Sequence, residues 1–257
     1  MELVYIIATL IAGLLVGGLL NEMIYRLPSG EIPFPRRCRE CGKAYSLSDY
    51  LSVVAGISGR NRCDKCGAQR KRREAIIEMA NAFLWLLSFL TFRNSTIGHL
   101  FISFAAISTY ICIGFIEYDG KKLPGWIYLF LLALGILDIF CNPELEIKER
   151  IIGALLGGGF FALSYAVCYI LLKKEGLGWS DVKLMAVSGF LMGWQASCMT
   201  IIFGTLVAAV ILAVVSMRKG NRNKEYPFSA FISIGAIVSM MYGEAMLRAY
   251  IRLFSIF

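Results

Sequence analysis

The chain is 257 residues long, 58% hydrophobic and 17% charged, with a formal net charge of +8. So much apolar sequence exceeds what a soluble domain of this length can bury, which excludes an ordinary water-soluble globule. The positive charge lies mostly in polar segments between apolar runs, a topological pattern, and calls for no nucleic-acid partner.

In chain order, the apolar runs recur at a length that crosses a bilayer and predict eight spans: Leu3–Tyr25, Ile76–Phe92, Ile97–Ile116, Trp126–Cys141, Ile151–Leu172, Val182–Trp194, Ala196–Met217 and Phe228–Leu247. The expected fold class is an all-α polytopic membrane protein with about eight transmembrane helices and a small cytoplasmic zinc-ribbon-like loop domain. The sixth span is short, so its turn into the seventh is the least marked of the boundaries. Leu3–Leu20 has no basic stretch before it and no small-residue cleavage site after it, and is read as a retained span. With eight spans, the polar segments after the first, third, fifth and seventh share one side and hold 21 of the 26 Lys and Arg. The positive-inside rule makes that side cytoplasmic and places both termini outside. The same basic surface suits anionic headgroups of the lipid bilayer.

The sizeable polar loop, residues 26–73, holds Cys38-Arg39-Glu40-Cys41-Gly42 and Cys63-Asp64-Lys65-Cys66-Gly67, with 21 residues between Cys41 and Cys63. Two C-x-x-C-G knuckles at this spacing predict a tetrahedral metal site, with zinc as a structural cofactor held by Cys38, Cys41, Cys63 and Cys66. The other reading is a pair of disulfides or free thiols, and a cytoplasmic compartment argues against stable disulfides. So short a loop has too small a core to fold unaided, and the metal would staple it. Cys112, Cys141, Cys168 and Cys198 stand singly in apolar segments and read as packing residues.

Acids mark the ends of two later spans. Asp181 follows Gly178-Trp179-Ser180 where a polar loop runs into an apolar segment, and Glu117-Tyr118-Asp119 closes the third span. A carboxylate at the hydrocarbon edge costs a few kcal/mol unless water, a partner or a proton satisfies it, so both clusters read as functional. Capping the sixth helix is a second, compatible role for Asp181. Asp138 and Glu244 read as interfacial acids of the other side. His99, the one histidine, lies near the outer interface and is a poor catalytic candidate.

Gly13-Leu14-Leu15-Val16-Gly17-Gly18-Leu19-Leu20-Asn21 with Tyr25-Arg26-Leu27-Pro28, the two cysteine pairs, the Glu117/Asp119 segment before Leu123-Pro124, and Gly178-Trp179-Ser180-Asp181 resemble the bacterial type IV prepilin peptidases, collinearly over nearly the whole chain. The resemblance implies an intramembrane aspartyl endopeptidase of the bacterial cytoplasmic membrane that removes basic leaders from prepilins and pseudopilins. It also implies, for members with this cysteine-bearing loop, N-methylation of the new amino terminus with S-adenosylmethionine. The organisation is then a first transmembrane helix (1–25), a four-cysteine zinc-binding domain associated with methyl transfer (26–73) and a membrane peptidase domain of seven further helices (74–257).

Aspartyl hydrolysis needs two carboxyls sharing one proton, one activating water and the other polarising the scissile carbonyl. Asp181 is one. The family pattern D-x-D-x-x-x-x-P-D reads here Glu117-Tyr118-Asp119-Gly120-Lys121-Lys122-Leu123-Pro124-Gly125, so the partner is Glu117 by position and Asp119 by residue type; position is favoured. Residues two apart do not share a helix face, so one of the two faces Asp181. Three further departures are Ser180 for the second glycine of G-x-G-D, Ala75 for a proline three residues before Glu78, and Ser229-Ala230 for the Gly-Pro of P-F-G-P-F after Pro227-Phe228. Glu78 and Arg73 occupy positions that imply contact with S-adenosylmethionine or substrate, while Glu78 reads equally as a solvated helix start. Readings outside the family are a membrane scaffold with a zinc ribbon and a transporter with proton-relay acids; within it, a cleavage-only peptidase. Substrate identity, pathway and oligomeric state are not set by the sequence.

Overall fold

A backbone in hydrocarbon must satisfy its own hydrogen bonds, and this chain does so with helices throughout. The computed structural model describes residues 2–45, 50–59, 62–172, 178–217 and 228–254. Its elements are α1 (Glu2–Arg26) with a 3₁₀ turn at Leu27–Ser29, α2 (Ser52–Ile57), α3 (Arg72–Phe92), α4 (Ile97–Tyr118), α5 (Trp126–Cys141), α6 (Ile147–Leu172), α7 (Trp179–Met217) and α8 (Phe228–Phe254). Extended pairing among the described residues is limited to isolated bridges, Arg37 with Ala44 and Arg62 with Gln69. Five helices, α1, α3, α4, α6 and α7, are long and apolar enough to cross a membrane, and α5 and α8 carry shorter apolar stretches. Large apolar side chains stand exposed along them, such as Leu3, Ile7 and Ile11 on α1 and Leu155, Leu163 and Ile170 on α6, while Asn21, Glu78, Asn81 and Arg150 are buried. That inversion is what a lipid solvent produces, and the protein is a multi-pass membrane protein.

The chain forms two compact units, Met1–Asn94 and Ser95–Phe257. In the first, α1 and α3 meet backbone to backbone. A Cβ on Gly13 would lie 2.7 Å from Ala82 Cα, and one on Gly17 would lie 2.6 Å from Glu78 Cα, so only glycine fits at either place. The amide of Asn81 donates to the Gly13 carbonyl at 2.8 Å and that of Asn21 to the Glu74 carbonyl at 3.0 Å, bonds strengthened by the absence of competing water. The second predicted span therefore packs with the first and the cysteine loop. The first compact unit, Met1–Asn94, therefore includes α3.

In the second unit the long helix α7 is broken at Gly193, whose φ of 79° and ψ of 175° lie outside the helical region. A Cβ on Gly189 would come within 2.8 Å of Ser197 Oγ, eight residues later. A continuous helix would hold such residues about 12 Å apart, so the chain doubles back at Gly193. The break falls at the end of the short sixth predicted span. Residues 179–192 pack on α6, where a Cβ on Gly157 would meet the Met185 carbonyl at 2.8 Å and one on Gly158 the Ala186 side chain at 2.8 Å. Residues 194–217 pack on α8 through the same device, a Cβ on Gly235 lying 2.9 Å from both the Gly204 nitrogen and the Thr200 carbonyl.

Asp138, expected at the interface, is instead 1% exposed and paired with Arg150 at 2.8 Å and with His99 at 2.6 Å. Arg150 is wholly buried and also donates to the carbonyls of Leu191 at 3.1 Å and Asp138 at 3.3 Å. The cluster thus joins the start of α4, the end of α5, the start of α6 and the turn within α7. The side chain of Glu244 lies outside the described residues. Removing one partner of a buried pair leaves the other uncompensated, so Arg150→Ala is expected to destabilise the protein by about 3–5 kcal/mol. Thermal unfolding in detergent checks this, and Arg150→Met combined with Asp138→Leu should recover most of the loss.

Candidate active site and metal centre

Each cysteine knuckle is a tight turn closed by its own backbone. Cys38 N–H donates to the Lys43 carbonyl at 2.8 Å and Gly42 N–H returns to the Cys38 carbonyl at 2.9 Å; Cys63 with Ala68 and Gly67 with Cys63 repeat the pattern at 2.9 and 2.8 Å. Gly42 and Gly67 both sit at φ 71°, the left-handed conformation that glycine adopts without strain. The knuckles face each other with all four sulfurs within 4.8 Å, Cys38 to Cys66 and Cys41 to Cys63 each at 3.7 Å. Four thiolates at about 2.3 Å from a tetrahedral zinc are about 3.8 Å apart, so the donor set fits that metal. Burial pushes the Cys38 thiol up, but the backbone N–H groups of Cys41 and Glu40 outweigh it and bring it down to about 6. The Ala68 N–H draws the Cys66 thiol down, yet burial and the neighbouring sulfurs hold it up at about 12. Cys38 is thus biased toward the thiolate form that a metal ligand requires, and a metal binding here displaces a proton from Cys66.

A buried charge cluster fastens this loop to α1 and α3. Arg36, 3% exposed, reaches Glu74 at 2.9 Å, Glu78 at 3.1 Å and Glu22 at 3.7 Å, and donates to Ser52 Oγ at 2.8 Å and to the Tyr50 carbonyl. Arg39 adds to Glu74 at 3.1 Å and Arg26 to Glu22 at 3.1 Å. Glu78 is fully buried and accepts from Asn21 at 3.2 Å, Ser52 N–H at 3.0 Å and Val53 N–H at 2.9 Å as well as from Arg36. It is therefore no solvated helix start, and its oxygens are not open to a cofactor. Arg73 is half-buried on the first turn of α3. Sequence reasoning missed Arg36, Glu22 and Glu74; the four-residue spacing of Glu74 and Glu78, which puts both on one helix face, was the available signal.

In the second unit Glu117 and Asp181 lie within electrostatic reach of each other, and both approach Ser229. Glu117 ends α4 facing inward, whereas Asp119 is the exposed residue capping that helix, its N–H bonded to the Phe115 carbonyl at 3.1 Å. Asp181, 3% exposed, sits in the first turn of α7. Its Oδ2 accepts Gly178 N–H at 3.0 Å, and its own N–H donates to the Gly178 carbonyl at 3.0 Å, so the acid also ties down the loop that leads into its helix. Ser180 is helical, so a side chain there costs nothing. Gly176 and Leu177 lie outside the described residues, as do Arg60, Asn61, Tyr226 and Pro227.

Two further residues line the pair. Ser229, on the first turn of α8, presents its hydroxyl to both acids and its main-chain N–H to Asp181. The hydroxyl contacts stop short of hydrogen-bond geometry, leaving Ser229 Oγ and Asp181 Oδ1 buried without a partner. Tyr128 of α5 lies within electrostatic reach of both carboxyls, its hydroxyl likewise buried and unpaired. Tyr128 was not legible as a site residue, since an aromatic inside an apolar run reads as core. Two carboxyls on separate helices, with neutral hydroxyls nearby, are the kind of groups that acid–base hydrolysis requires.

An all-helical membrane protein with paired carboxyls at helix ends and a four-cysteine loop is an intramembrane acid hydrolase by its chemistry. Residues 104–214 match the type IV leader peptidase family, and residues 11–92 match the bacterial peptidase A24 N-terminal domain. The chain belongs to this family. Its relatives include proteins named prepilin leader peptidase/N-methyltransferase. That of Pseudomonas aeruginosa is 25% identical, over 97% of this chain and 94% of its own length. That of Dichelobacter nodosus is 27% identical, over 90% and 89% respectively. That of Aeromonas salmonicida is 24% identical, over 93% and 91%. No solved structure matches the chain.

The sulfur geometry predicts one zinc per chain by elemental analysis, with Cys38→Ser plus Cys41→Ser abolishing binding and making the 26–73 loop protease-sensitive. Because thiols must lose their protons to bind metal, zinc affinity should fall as pH is lowered from 7 to 5.

Proposed function

We propose that the chain is a prepilin leader peptidase that hydrolyses the bond after a basic leader, using Glu117 and Asp181 as its acid pair, and then methylates the new amino terminus. The observation that carries this is the meeting of Glu117 with Asp181, delivered by the end of α4 and the start of α7, while Asp119 faces out. One carboxyl takes a proton from the attacking water as the other, protonated, polarises the scissile carbonyl and then supplies the proton to the leaving amine. The extra methylene of Glu117 over aspartate is accommodated by its inward position on the last turn of α4.

Counting residues 179–192 and 194–217 separately, the apolar helices support eight crossings, with the acid pair and the cysteine loop on the cytoplasmic face by the positive-inside rule. The bacterial cytoplasmic membrane is the location that basic prepilin leaders require. We assign methyl transfer to the first unit and peptide hydrolysis to the second. Glu78 serves the first by holding the loop that zinc would staple, and Arg73 is the residue there that we assign to S-adenosylmethionine, which would supply the methyl group when bound.

Asp181→Asn and Glu117→Gln are each expected to lower leader cleavage by about 10²–10⁴-fold, the usual worth of a general acid or base, with helix content retained. Asp119→Asn, an exposed change, should stay within about threefold of the parent. Cleavage of a prepilin by the purified protein, followed by intact mass, checks this; equal loss in all three variants would refute the pairing. With S-adenosylmethionine present, the same spectrum should show the mature product heavier by one methyl group, and an unmodified amine would restrict the enzyme to cleavage.

A further inference from the structure

We propose that Ser229 is a positioning residue that bridges Glu117 and Asp181 and makes a glutamate workable in that pair; this rests on the acid-pair reading given above. Three observations carry it. Ser229 is fully buried at the start of α8 and is turned toward both carboxyls, with its main-chain N–H on Asp181. Its hydroxyl and Asp181 Oδ1 are both buried without hydrogen-bond partners, and an unpaired buried polar group costs about 1–3 kcal/mol. And α8 approaches α4 one turn before Glu117, where a Cβ on Gly114 would stand 3.6 Å from Ser233 Cβ and 4.0 Å from the Ala230 carbonyl.

The chemistry is that of a neutral two-way hydrogen-bonding group between two acids. A serine hydroxyl donates one bond and accepts others, so it can give its proton to whichever carboxyl is ionised and receive one from the carboxyl that is protonated. It thereby fixes the distance between the two without adding charge. The departures Glu117 and Ser229 from the family pattern, far apart in sequence, meet at this one place. A longer acid leaves more rotamers to choose among, and a bonded hydroxyl restricts them. Tyr128 from α5, also facing the pair, is another neutral hydroxyl there and lies on a different element.

The test measures leader cleavage by the full-length protein in detergent, with kcat and KM determined separately. Ser229→Ala and Ser229→Gly are each expected to lower kcat by about tenfold with KM and the thermal midpoint unchanged. In a Glu117→Asp background the shorter acid no longer needs the bridge, so Ser229→Gly should cost less than about threefold. If Ser229→Ala fails to fold, Ser229→Gly carries the comparison, since it removes the same hydroxyl and adds no atom. Full kcat in either variant, an equal loss in both backgrounds, or a loss that tracks a lowered thermal midpoint overturns the proposal. Active Asp181→Asn would overturn the acid-pair reading itself, whereas inactive Asp181→Asn beside fully active Ser229→Gly overturns only the bridge.

Discussion

Close approach of helix backbones is the constraint on which each unit depends. Lipid supplies no hydrophobic drive to bring apolar helices together, so packing contact and interhelical hydrogen bonds must do it, and both need small residues at the crossing. In the first unit Gly13 and Gly17 let α1 lie on α3, and the amides of Asn21 and Asn81 bond across the seam that results. In the second, the glycines of α6 and α8 clasp the two halves of α7. The acids are consequences of these seams. Asp181 stands where the first half of α7 begins, and Glu117 where α4 ends beside α8.

Charge is used differently in the two units. Arg36 is shared among Glu22, Glu74 and Glu78 and is compensated further by Arg26 and Arg39 on the outer acids. Burying so many ions yields little net stability compared with apolar packing, but removing one member is expensive, which gives the cluster a single permitted arrangement. Its effect is to fix where the cysteine loop joins the helices. Arg150 does the same for four helix ends in the second unit, with backbone carbonyls and Asp138 as partners. At the acid pair the neighbouring groups are the hydroxyls of Ser229 and Tyr128.

Much of this was legible in the sequence because it is written in short, local patterns. Apolar run length marked the helices, knuckle spacing marked the four cysteines, and the change from polar loop to apolar helix marked Asp181. The break at Gly193 fell where the short sixth run ended, although one residue sufficed to turn the chain and no polar loop announced it. What the sequence hid depends on three-dimensional neighbours. Asp138 looked interfacial because its own segment ends nearby, and only its partners on α4 and α6 show it to be buried. Glu78 could not be judged without Arg36, which is 42 positions away. Tyr128 carries no signal of its own, and Ser229 stood out only as a departure from the family pattern; each acquires a role only through the acids it faces.

The first half of α7 has a consequence for the surrounding bilayer. Residues 179–192 rise about 21 Å at the helical pitch, well short of the ~30 Å hydrocarbon thickness. Hydrophobic mismatch of this kind is relieved when the leaflets thin locally or the headgroups dip toward the short helix. A dip of that kind would bring the headgroup boundary, and water with it, toward the carboxylate at the start of this half-helix.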